Sequence, residues 1–82
     1  MILDQIAAHE LAPKKVWVLE LTDGRPTYWF DHGGWADLEQ LHTGDWEMSI
    51  AAREVSRHLI RAATLEEVIS QANAILALEG VL

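Results

Sequence analysis

The chain has 82 residues, enough for one domain spanning 1–82 and too few for two. Half of the residues are hydrophobic and 23% are charged, which argues against intrinsic disorder. Cysteine is absent, excluding disulfide staples and Cys-based zinc sites. The formal net charge of −7 opposes general binding to nucleic acid or to an anionic membrane, where Lys and Arg must neutralise phosphate.

The first predicted element is a short helix over 2–11, with Ile2, Leu3, Ile6 and Ala7 at helical spacing. Pro13 disfavours helical backbone at Ala12, so the helix is expected to stop there. Residues 1–11 hold Asp4 and Glu10 and no basic residue, unlike a secretory leader. The longest uncharged run, 68–78, falls well short of the ~20 residues a membrane span needs. Together with the missing cysteines, these features imply a cytoplasmic protein without a membrane segment.

A β-hairpin comes next. Residues 15–21 and 26–31 are β-rich, and Asp23-Gly24 between them suits a two-residue type I′ turn. Such a turn dictates the pairing Thr22–Arg25, Leu21–Pro26, Glu20–Thr27, Leu19–Tyr28, Val18–Trp29 and Trp17–Phe30. Alternation then puts Trp17, Leu19, Leu21, Tyr28 and Phe30 on a core face. Val16, Val18, Glu20, Thr27, Trp29 and Asp31 fall on a mixed face, with Trp29 partly exposed. Pro26 lacks an N–H on the side away from the first strand, so that side is expected to be an edge near Pro26.

Residues 32–47 read as irregular, broken by Gly33-Gly34 and Thr43-Gly44; 35–41 fits either a short helix or a third strand. Over 48–62, apolar residues at 48, 52, 55, 59 and 62 form a helical stripe, with a strand over 57–62 as the competing reading. Thr64-Leu65-Glu66-Glu67 is a capping box that opens a helix over 65–79, and Gly80 is a natural stop. The expected fold is α+β, ordered α-β-β-α-α, an antiparallel hairpin packed against helices in two layers.

Signals for catalysis are weak. Asp31, His32, His42 and Asp45 are the best metal-like grouping, but they lack a known ligand spacing, and His32 and His42 support only a minor metal-enzyme alternative. The serines at 49, 56 and 70 have no nucleophile elbow, and Gly33-Gly34 is followed by no Lys-Ser/Thr. The 65–79 helix contains no basic residue, which opposes a helix-turn-helix reading. No cofactor, metal or catalytic residue is therefore expected.

Stronger is the combination of acids and tryptophans over 20–47. Residues 1–47 contain nine acidic and three basic residues, against four and three in 48–82. Tryptophan offers a large rigid apolar area, and acids around it steer a basic partner. Trp29, Asp31, Trp35, Asp37, Glu39, Asp45, Trp46 and Glu47 are the expected partner-binding residues. Arg53, Arg57 and Arg61, spaced by four, form a second contact strip on the expected 48–62 helix. This pattern implies a small acidic protein-binding module, an inhibitor or adaptor of a larger partner with a basic surface. A phage or mobile-element inhibitor of a nucleic-acid-handling defence machine is one version. Homodimerisation through the apolar face of 65–82 is the alternative.

Overall fold

The turn at Asp23-Gly24 has positive φ at both residues, 53° and 81°, as a type I′ reversal requires. It joins β1 (Trp17–Thr22) to β2 (Arg25–Phe30), and all six expected cross-strand pairs form, from Thr22↔Arg25 to Trp17↔Phe30. The computed structural model describes residues 2–9, 11, 16–31, 33–53 and 56–80. Ala12-Pro13, Lys15, His32, Val55 and the Val81-Leu82 tail lie outside these.

The hairpin is the first half of a larger sheet. β3 (Trp35–Gln40), β4 (Trp46–Arg53) and β5 (Ser56–Ala62) follow, and the five strands pair antiparallel in the order β1-β2-β3-β4-β5. The expected α-β-β-α-α hairpin with two C-terminal helices is therefore incorrect. The chain is predominantly one sheet, with a short helix α1 (Ile2–Ala7) before it and a helix α2 (Leu65–Leu78) after it. The minor reading of a strand over 57–62 corresponds to β5, and of the two readings of 35–41 the strand is the one formed, over Trp35–Gln40.

The misreading has a physical cause. A spacing of four residues fits both a helix turn and two strand repeats. Met48 and Ala52 obey both periods, but Trp46 and Ile50 obey only the period of two. Trp46, Met48, Ile50 and Ala52 alternate with Glu47, Ser49, Ala51 and Arg53. The expected loop is likewise two hairpin connections. Phe30 N donates to Gly34 O (2.9 Å) between β2 and β3. Leu41 N donates to Asp45 O (2.7 Å) around His42-Thr43-Gly44, where Gly44 takes φ 96°. A three-residue hairpin loop ending in a left-handed glycine has this form.

Pro26 acts as expected only locally. The β2–β3 ladder runs from Trp29↔Trp35 to Thr27↔Asp37 and stops one residue short of Pro26, but β2 is an interior strand.

The strand register puts one set of side chains under the helices. Trp17, Tyr28, Phe30, Ala36, Leu38, Met48, Ile50, Ala52 and Ile60 form a single cluster with Ile6, Leu11, Val68, Ile69, Ala72 and Leu76. Trp17 and Tyr28 meet edge to face, with centroids 4.9 Å apart. Leu21, expected in the core, is 50% exposed at the end of β1. In α2, Thr64 Oγ1 accepts from Glu67 N at 3.2 Å, the cap anticipated from sequence. α1 is shorter than the expected 2–11.

Candidate functional site

The other face of the sheet has no helix over it among the described residues. Alternation assigns it Val18, Glu20 and Thr22 from β1; Arg25, Thr27 and Trp29 from β2; and Trp35, Asp37 and Glu39 from β3. It further receives Glu47, Ser49 and Ala51 from β4 and Arg57, Leu59 and Arg61 from β5. Cross-strand pairing arranges these in rows. One row reads Val18, Trp29, Trp35, Ala51, Arg57; the next reads Glu20, Thr27, Asp37, Ser49, Leu59. Val18 is 59%, Trp29 39% and Leu59 68% exposed. Three of the exposed large apolar side chains among the described residues thus fall on this face, while Thr27 and Ala51 between the strands' larger side chains are buried.

Side chains on the face are held in place. Trp29 Nε1 donates to Thr22 Oγ1 at 3.2 Å, which lays the indole along β1. Thr27 is buried at the centre, and its hydroxyl donates to Asp37 Oδ1 at 2.9 Å, pinning that carboxylate. Arg61 donates through Nε (3.2 Å) and Nη2 (2.8 Å) to Glu47 Oε2. The same carboxylate raises the pKa of the Arg61 guanidinium, first through these hydrogen bonds and then through its charge. Arg57 lies over the Trp35 ring, 5.6 Å from its centroid.

Charge divides across the strands. Glu20, Asp37 and Glu39 lie on β1 and β3, whereas Arg57 and Arg61 lie on β5. Arg25 on β2 lies among those acids and Glu47 on β4 pairs with Arg61, so the Trp29 side is acidic only in excess and β5 carries the other two arginines of the face.

Of the expected partner-binding residues, Trp29, Trp35, Asp37, Glu39 and Glu47 come together on this face. Trp46 does not: it pairs with Gln40 and Ala62 and packs half-buried against the core cluster. Asp31 follows β2 and Asp45 precedes β4, so they sit at opposite ends of the sheet, separated by the length of β3, roughly 20 Å. The metal-like grouping is divided in the same way: Asp31 lies at one end, His42 and Asp45 at the other, and His32 is outside the described residues. Among the described residues no three His, Cys, Asp or Glu side chains are placed to hold a metal.

The expected arginine strip on a helix is overturned, since Arg53 belongs to β4 and Arg57 and Arg61 to β5. Arg57 and Arg61 still share a face, because a spacing of four preserves strand parity. Sequence reasoning assigned Val18 and Glu20 to the mixed face but not to a site, and missed Leu59; the signal was the alternation Arg57, Leu59, Arg61 against His58, Ile60, Ala62. On α2, Val68, Ile69, Ala72 and Leu76 are buried against the sheet and Leu78 remains 88% exposed, so the helical face expected to dimerise is largely consumed by the core. No helix among the described residues is long and apolar enough to cross a membrane.

No family model, curated protein or solved structure matches this chain.

Proposed function

We propose that this chain is a non-catalytic protein-binding module, an inhibitor or adaptor that engages a larger partner through the uncovered face of its sheet. The observation that carries the reading is the row Val18–Trp29–Trp35, an apolar and aromatic strip beside carboxylates that no helix covers among the described residues, with Trp35 half-buried under Arg57. Rigid aromatic anchors within a charged surround are the usual energetic centre of a protein interface. Glu20, Asp37 and Glu39 on that side complement a basic partner, and the net charge of −7 speeds its approach. An inhibitor that places carboxylates where its target normally holds phosphate is one form of the reading, and a cytoplasmic setting fits the absence of cysteine.

The test compares proteins captured from cells by the tagged chain and by a Trp29→Ala, Glu20→Lys, Glu39→Lys variant. None of these three residues lies in the core cluster, so the variant is expected to fold. A partner retained by the native chain and lost from the folded variant supports the proposal; identical captured sets contradict it.

A further inference from the structure

Two arginines on β5 occupy equivalent positions on the open face but have different surroundings. Arg61 is spent, with two of its N–H groups on Glu47. Arg57 has Ala51 as its cross-strand neighbour and no carboxylate partner among the described residues. Ala51 is also the neighbour of Trp35 on β3, so the row reads Trp35–Ala51–Arg57. The small central residue lets the guanidinium reach back over the indole. Beside this stack is a recess of about 280 Å³, bordered by Trp35, Ser49, Arg57 and Leu59 together with Ile50 and His58.

The chemistry of the borders is specific. Arg57 retains a fork of donors suited to a carboxylate, held in orientation by the ring beneath it. Ser49 supplies a hydroxyl, and Trp35 and Leu59 supply apolar walls. The volume accommodates about one residue. A group that satisfies both kinds of border carries its carboxylate and its apolar side chain on the same carbon.

We infer that the Trp35–Arg57 recess binds the C-terminal carboxylate of a peptide ending in an apolar residue. This rests on the reading of the open face as a docking surface and specifies one element of the partner: a chain terminus seated at the basic edge, while the acidic side meets basic residues.

The experiment is a titration of the ¹⁵N-labelled protein, following the Trp35 indole and Arg57 Nε signals. The probes are N-acetyl-leucine, its amide, and N-acetyl-glycine. Saturable shifts with an affinity on the order of millimolar are expected for N-acetyl-leucine, as suits a ligand of about a dozen atoms on an open site. Binding should weaken roughly tenfold for the amide, which lacks the charge, and several-fold for N-acetyl-glycine, which lacks the side chain. Arg57→Gln should abolish the shifts while the rest of the spectrum stays native, and Arg57→Lys should restore little, because it keeps charge without the fork. Shifts that are linear and unsaturated for N-acetyl-leucine overturn the inference. Equal binding of the amide or of N-acetyl-glycine overturns it too, as does a Trp35 signal that moves with protein concentration alone, the mark of a second copy on the face. The Trp29 capture experiment is independent: a failed titration with successful capture removes the terminus reading and leaves the docking face intact.

Discussion

The two faces of the sheet come from the same strands and differ by one residue of register. On the covered side, Leu38, Met48, Ile50 and Tyr28 are fully or almost fully buried beneath α1 and α2. On the open side, Val18, Trp29 and Leu59 meet solvent although they are chemically similar. Hydrophobicity alone therefore does not determine which residues hold this domain together; strand parity and helix placement do. The covered face holds most of the buried apolar side chains, and the other contributes mainly through the buried Thr27 and Ala51.

The sharpest break in that comparison is Leu38→Ala. It deletes a fully buried side chain and is expected to cost about 2–5 kcal/mol, a large share of the roughly 5–15 kcal/mol typical of a domain. Urea unfolding measures it, and a loss below about 1 kcal/mol would place Leu38 outside the core. Next is Asp37→Ala, an open-face change with a structural cost. It removes the nearer, charged acceptor of the buried Thr27 hydroxyl, leaving the Arg25 carbonyl at 3.2 Å, and should cost up to about 1 kcal/mol, whereas Glu39→Ala should cost almost nothing.

Tyr28→Phe should act in the opposite direction. The Tyr28 hydroxyl is buried and has no hydrogen-bond partner among the described residues, so removing it should stabilise by about 1 kcal/mol and raise Tm by several degrees. Burial pushes the pKa of this hydroxyl well above its ordinary value of 10.0. The folded state therefore holds the proton more tightly than the unfolded one. Its contribution is fully present below about pH 10 and is lost as pH rises above it. Native stability should decline there more steeply than that of Tyr28→Phe, as parallel melts from pH 8 to about pH 11 would reveal. The smallest effect belongs to Leu59→Ala. It trims a side chain already in solvent and should leave the unfolding free energy within about 0.5 kcal/mol of native.

Where the sequence was legible, one local signal had a single structural solution. Asp23-Gly24 admits a type I′ turn, and the complete β1–β2 register follows from it. Thr64 with Glu67 likewise locates the start of α2. The second half of the sheet was harder to read, because Met48 with Ala52, and Arg53, Arg57 and Arg61 with one another, are spaced by four and fit either period. Ile50 and Trp46 distinguish the periods but resemble flank residues until their strand neighbours are known. The candidate site inherited the same ambiguity. Trp29 was placed by the hairpin, whereas Trp46 was grouped with it by proximity in sequence and proved to lie on the covered side. The Trp35–Arg57 stack depends on β3–β4–β5 pairing across 22 residues, which no local pattern specifies.

The most direct measurement is the accessibility of the four indoles to a soluble paramagnetic relaxation agent, followed by NMR at several protein concentrations. Strong attenuation of Trp29, weaker attenuation of Trp35 beneath Arg57, and protection of Trp17 are expected, with no dependence on concentration. Trp29 as protected as Trp17 at every dilution would contradict the claim that this side of the sheet is bare.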